Sequence, residues 1–250
     1  MRWDELTSPQ ISELDRSIPV VLPVSATEQH GPHLPVATDR MIGEFFCGRL
    51  NDSIPDDVLI LPIMAVGCSE HHMSFAGTLT LEHTTFLNGM EDILRSVSSH
   101  GFRNLVVLNS HGGNLGIGQV MLEHLGGRLP DCQLVFAAWW KLALEELAKI
   151  TETGPGGVGH ACEFETSLMM VVAPHLVHED KIEAGGNQPT YEWAEADLLR
   201  GSKASLYRSF QEMTTNGAYG DPRAASAEKG ERIAKVVIEA LRGLIADLRK

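Results

Sequence analysis

The sequence predicts an α/β fold in which helices cover a parallel sheet. Four short β-branched runs, helical apolar spacing between them, and 250 residues at 43% hydrophobic content together point there. That length and content suffice for one large core, and α/β chains of this size commonly form a single domain, expected here over residues 1–250.

The first run, "PVVLPVS" at 19–25, has the unbroken apolar character of a strand buried on both faces. Residues 38–51 follow at helical spacing, with Thr38 as the candidate N-cap. "VLILPIMAV" at 58–66 is the second strand. Residues 83–99 place Phe86, Met90, Ile93, Leu94 and Val97 on one helical face. "NLVVLNS" at 104–110 is the third strand, 115–127 a helix, and "CQLVFAA" at 132–138 the fourth strand. "TETGPGGVG" at 151–159 reads as a loop, and 220–248 as a turn leading into a long amphipathic helix. Strands and helices in alternation imply right-handed crossovers between parallel strands.

Composition removes several classes of function. The formal charge is 20 − 33 = −13, which repels phosphate backbones and anionic lipid, so neither nucleic acid nor membrane is an expected partner. No stretch reaches the roughly 18 apolar residues of a membrane span, and the N-terminus has no apolar signal region, so a cytoplasmic protein is expected. Cys47, Cys68, Cys132 and Cys162 are far apart with no C-x-x-C pair, and read as reduced core thiols.

In open α/β sheets, ligands sit beyond the carboxyl ends of the strands, so polar residues there carry weight. After the first strand comes "EQHGPHLPVATD", 28–39. Glu28 and His30 are two apart in an extended segment and point to one side. Asp39 falls in the first turn of the next helix. After the second strand comes "EHHMSFAGTLTL", where Glu70, His71 and His72 either line a pocket or end a strand in solvent. After the third, "NSHGGN" sets His111 at a strand tip beside glycines that admit another backbone or a ligand. That turn lacks the G-x-G-x-x-G or G-K-[ST] context of a phosphate cradle. After the fourth come Trp139 and Trp140, expected as one core residue and one pocket wall, then "GHACEFETS". Mixed carboxylates and imidazoles suit Zn²⁺, Mn²⁺ or Fe²⁺ better than Ca²⁺ or Mg²⁺. An aspartate can bridge two such ions about 3.5 to 4 Å apart, and the pair activates a water for attack on a carbonyl carbon.

At these residues the chain resembles the creatininase family of metal-dependent amidohydrolases. The match rests on "EQHGPHLPVATD", "NSHGGN" and "GHACEFETS" in that order, with further support from "EHHMSFAGTLTL" and "GAYGDPRAASAEKG". The resemblance implies a three-layer α/β/α sandwich with a mostly parallel central sheet. It also implies homo-oligomers, commonly hexamers, and two divalent ions (Zn, Mn or Fe) per chain at the strand tips. Carried over, Glu28, Asp39 and His111 would bind one ion, and His30 and Asp39 the other. Creatinine-hydrolysing members place a glutamate two residues after the histidine matched by His111; here that position is Gly113. Glu165, in "HACEFETS", is the candidate that completes the ligand set of the second ion. His160 matches the histidine that passes a proton to the leaving nitrogen, a role suited to an imidazole with an unperturbed pKa near about 6.5.

The glycine turns the expectation from creatinine toward other amides: a small cyclic amide or a formamide. A peptidase of the family's peptide-processing branch is the alternative, and needs a pocket open beyond the metals. A metal-binding scaffold without turnover is a third possibility, since ligands alone do not prove catalysis. Cys162 replaces a glycine of the motif, which raises a thiol nucleophile with His160 as base. His33 reads as a residue that orients others, and the remaining histidines are assigned no role.

Overall fold

The computed structural model describes residues 1–195 and 197–250. Four strands, β1 (Val20–Val24), β2 (Leu59–Ile60), β3 (Asn104–Asn109) and β4 (Gln133–Ala138), form one parallel sheet in the order β2-β1-β3-β4. The helices in chain order are α1 (Ser8–Glu13), α2 (Thr38–Ser53), α3 (His83–Ser99), α4 (Leu115–Gly126), α5 (Trp139–Leu142), α6 (Leu144–Leu147), α7 (Glu163–Val172), α8 (Phe210–Met213) and α9 (Ala227–Leu248). No helix among the described residues is long and apolar enough to cross a membrane.

The unbroken apolar strands are explained by burial on both faces. Val20, Leu22, Val24, Leu105 and Val107 pack with Phe86, Met90 and Leu94 of α3 and with Met121 and Leu125 of α4. Val21, Val106 and Leu108 face the other way, onto Phe46 and Leu50 of α2, Phe164 and Leu168 of α7, and Val237 and Leu241 of α9. Alternate strand residues therefore feed two separate cores, and the molecule is a three-layer α/β/α sandwich. Each such side chain, fully buried, contributes on the order of 1.5–3 kcal/mol.

Two local expectations fail for identifiable reasons. The second strand is two residues long rather than spanning 58–66, because the next β1 residue that faces it, Pro23, has no N–H to give the ladder; Met64 N donates to Pro23 O at 3.0 Å, and pairing resumes only as an isolated bridge between Val24 and Met64. Thr38 is the first helical residue and Ala37 the N-cap: the Thr38 hydroxyl donates to the Pro35 carbonyl at 2.7 Å instead of accepting from the helix. Asp39 still lies in the first turn of α2.

Because β1, β3 and β4 run the same way, the segments leaving their carboxyl ends meet on one rim of the sheet. Asn109 and Asn114 tie them together. The Asn114 Oδ1 accepts from Cys68 N at 3.0 Å, and its Nδ2 donates to Ser25 O at 3.2 Å and Asn109 Oδ1 at 3.1 Å. Asn109 in turn donates to the His111 carbonyl at 2.7 Å. Both asparagines of "NSHGGN" are thus fasteners between strand tips.

Candidate active site

A cavity of about 140 Å³ opens on this rim. Glu28, Asp39, His111, His160 and Glu165 line it, and His30 lies directly behind with no exposed surface. The loop that brings Glu28 and His30 folds back on itself, Glu28 N donating to Val36 O at 3.0 Å, and turns at Gly31 with φ +62°. His111 extends from β3. Glu165 and His160 come from opposite sides of the α7 N-cap, Cys162.

Asp39 stands at the centre. Its Oδ1 is 3.2 Å from His30 Nε2 and its Oδ2 3.1 Å from His111 Nδ1. His111 Nδ1 is also 3.2 Å from Glu28 Oε1. Glu28 and His30 therefore serve two adjacent halves of one site, joined by Asp39. Three sets offer ligand atoms within 4.8 Å of one another: Glu28, Asp39 and His111; His30, His160 and Glu165; and Glu28, His72 and His160.

The donor set fits divalent cations. Glu28 Oε1 and Asp39 Oδ2 are buried acceptors without a hydrogen-bond donor among the described residues, a costly condition unless a cation occupies the space between them. The histidines are arranged as ligands are. His30 Nδ1 faces the Glu28 carbonyl at 3.0 Å and His111 Nε2 the Cys68 carbonyl at 3.1 Å, each N–H donating outward, so that the inner nitrogen offers a lone pair once a cation takes the place of its proton. Ser69 donates to Glu28 Oε2 at 2.6 Å and orients that carboxylate.

The electrostatics show how crowded the charges are. Burial lowers the His30 pKa, but Asp39, Glu165 and Glu28 outweigh it and hold the ring at about 9. Burial lowers His111 too, and the Glu28 and Asp39 carboxylates raise it well above its ordinary value. Glu165 is pushed up to about 7 by burial and by Asp39 and Glu28, against the opposing pull of His30 and the Ala161 N–H. A carboxyl that resists ionising beside two others is one that a cation would relieve.

His160 is held by backbone pairing with Tyr219, its N–H donating to Tyr219 O at 2.7 Å and its carbonyl accepting from Tyr219 N at 2.8 Å. Gly159 is required there, since a Cβ would lie 2.4 Å from Tyr219 O. The segment "GAYGDP" thus acts by pairing with "GHA", which its composition alone does not reveal. His160 Nε2 lies 2.6 Å from the Gln29 carbonyl, so that nitrogen carries the proton and Nδ1, 3.5 Å from Glu28 Oε1, faces the site as a base. Ala161 adopts φ +50°, the left-handed region, and its N–H donates to Glu165 Oε2 at 2.5 Å.

Residues 4–245 match the sequence profile named Creatininase, described as creatinine amidohydrolase. The chain belongs to the creatininase family. It is 32% identical over 238 residues to a mycofactocin precursor peptide peptidase of Mycobacterium ulcerans, covering 92% of this chain and 85% of the relative. It is 28% identical over 245 residues to the creatinine amidohydrolase of Pseudomonas putida, covering 91% of this chain and 88% of the relative. A solved structure called "Creatininase Mn" superposes with a TM-score of 0.80 at 25% identity, covering 98% of this chain and 97% of that one. A mutant creatininase of "Zn-Zn type" gives a TM-score of 0.79 at 26% identity, with coverages of 98% and 97%.

Within the creatininase frame, position 113 has no room for a side chain. A Cβ on Gly113 would lie 2.2 Å from the Cys68 carbonyl oxygen and 2.4 Å from His111 Nε2. The thiol alternative fails as well: burial, with Glu165 beside it, pushes Cys162 up to about 12, so it stays a neutral core thiol. His33 is outside the three ligand sets and meets Thr166 Oγ1 at 2.9 Å. Trp139 packs on Phe46 in the core, while Trp140 lines the cavity.

Sequence reasoning left the "EHH" cluster open, and the structure divides it. Glu70 is exposed, His71 lines the cavity, and His72 is buried with Nε2 3.3 Å from Glu28 Oε1. Ser69, Gln29 and Phe210 were not singled out. No periodicity marks them, because each works through a contact with a residue more than 40 positions away.

Proposed function

We propose that this creatininase-family hydrolase cleaves the C–N bond of a small amide, cyclic or a formamide, at a dinuclear metal centre. Glu28, Asp39 and His111 would hold one ion, and His30, Asp39 and Glu165 the other, with Zn, Mn or Fe as the candidates. When bound, the ions lower the pKa of a water and polarise the amide carbonyl. Asp39, presenting one oxygen to each half, sets the spacing. Ser69 keeps Glu28 turned inward. His160, with its Nε2 proton committed to Gln29, uses Nδ1 to take the proton of the attacking water and returns it to the departing nitrogen. Cys162 takes no part.

The size of the cavity carries this reading. About 140 Å³, walled by Trp140, Leu198, Phe210 and Met213, suits a molecule of few heavy atoms and is below the usual range of pockets for larger ligands. The second reading, cleavage at the end of a peptide, draws on the likeness to the mycofactocin precursor peptide peptidases.

The test is a panel of cyclic amides, N-formyl amines and short peptides offered to metal-loaded protein. Turnover of the small amides, abolished by chelation, is the expected outcome. Turnover of peptides alone would replace the first reading with the second, and full activity without metal would end both.

A further inference from the structure

Gln29 stands between two histidines of the site and controls which nitrogen each presents. Its Oε1 accepts the Gly31 N–H at 2.9 Å, and a backbone N–H can only donate, so the amide cannot be turned around. Gly217 packs against the same group; a Cβ there would lie 2.3 Å from Gln29 Oε1. The amide Nε2 therefore faces His72 Nδ1, 2.9 Å away. An amide nitrogen has hydrogens and no lone pair to offer. His72 Nδ1 must accept, and the ring proton sits on Nε2.

His72 belongs to the wall of the cavity, beside Glu28 and His160. Its Nε2 approaches Glu28 Oε1 to 3.3 Å, yet that oxygen has no hydrogen-bond donor among the described residues, so the N–H is not spent on it. Phe210 stacks on the His72 ring at 3.9 Å and 22°, which fixes the ring plane and keeps water from one face. By distance alone His72 belongs to a third ligand set with Glu28 and His160. Its tautomer argues otherwise, because a ligating nitrogen needs a lone pair where His72 has a proton.

We infer that His72 is a hydrogen-bond donor to the carbonyl oxygen of the bound amide, with Gln29 as the positioning residue that fixes its tautomer, and not a metal ligand. The inference rests on the amidohydrolase reading. As water adds to the carbonyl carbon, negative charge grows on the oxygen, and a donor already aimed there stabilises it without reorganisation. The proton is shared and stays on His72; the proton for the leaving nitrogen comes from His160.

The experiment uses zinc-loaded protein with ¹⁵N-labelled histidine. The His72 resonances should show an unprotonated Nδ1 and a protonated Nε2; the reverse pattern overturns the proposal. His72→Phe, which keeps the stack on Phe210, should retain the wild-type metal content, and loss of an ion would make His72 a ligand. Its kcat should fall about 10²-fold with KM little changed, and His72→Gln, which restores an N–H donor, should recover part of the loss. Undiminished kcat in His72→Phe overturns the donor role. Gln29→Glu accepts a proton from Nδ1, so it should move the proton off Nε2 and lower kcat while both ions stay. It also serves if His72→Phe does not fold. Should wild-type protein hydrolyse no amide, the amidohydrolase reading fails separately, and acetate then decides the donor role. A shift of the His72 Nε2 proton on adding acetate, absent in Gln29→Glu, sustains the donor, and no shift in wild type overturns it.

Discussion

Gly113 and Cys68 are packed so closely that a Cβ on the glycine would lie 2.2 Å from the cysteine's carbonyl oxygen. That oxygen belongs to backbone and also faces His111 Nε2, so it cannot yield without turning a candidate metal ligand. Gly113→Glu should therefore give no gain in creatinine hydrolysis. It should cost about 1–3 kcal/mol in stability through overpacking, read as a lower midpoint in urea denaturation. Creatinine turnover at ordinary enzymatic rates in the variant would show that the strand tip can open.

Asp39 addresses both halves of the site. Asp39→Asn withdraws one charge from each and should empty both metal positions together, measured by elemental analysis of protein purified without chelator. Glu28→Gln should deplete mainly the half shared with His111, and His30→Ala mainly the half shared with Glu165. Both ions retained at wild-type occupancy in Asp39→Asn would remove the bridge.

For His160, the free Nδ1 predicts a kinetic rather than a structural loss. His160→Ala should keep its metal and its melting temperature while kcat falls by about 10²–10⁴. An equal fall in metal content would make His160 a ligand of the set it shares with His30 and Glu165.

The buried pair of Glu163 and Lys229 joins α7 to α9, and Glu163 also takes the Thr151 hydroxyl at 2.9 Å and the Thr153 hydroxyl at 2.6 Å. Burial alone would raise the Glu163 pKa from 4.5, but Lys229, Thr153, the Glu152 N–H and Thr151 together bring it below that value. A carboxyl depressed in the folded state stabilises it fully above the unfolded pKa, and loses that contribution as pH falls through the folded one. Glu163→Gln removes the buried carboxylate of the pair, leaves Lys229 the largely exposed Glu152 carboxylate at 3.1 Å and the Ala224 carbonyl at 2.6 Å, and should cost about 1–3 kcal/mol at neutral pH. The gap from wild type should narrow as pH drops below about 4. A gap independent of pH would mean the ion pair does not hold the helices.

The sequence by itself determined the alternation of strands and helices and the order of the family motifs, because both are local. A strand buried on both faces must be apolar throughout, and α3 must carry Phe86, Met90 and Leu94 at helical spacing if its face is to meet the sheet. The polar residues that follow β1 and β3 were legible for the same reason: nothing in a core calls for Glu28, His30, Asp39 and His111 at strand tips. Tertiary structure alone decided the rest. The truncation of β2 followed from Pro23, on the neighbouring strand, arriving where the ladder needs an N–H. His72 shows the limit most clearly. In "EHHM" it is one of two adjacent histidines with no distinguishing mark, and its tautomer depends on an amide 43 residues away that is held by Gly31. A histidine's chemistry is set by which nitrogen is left free. That is decided by the partner the fold brings to the other one, and no pattern along the chain records the meeting.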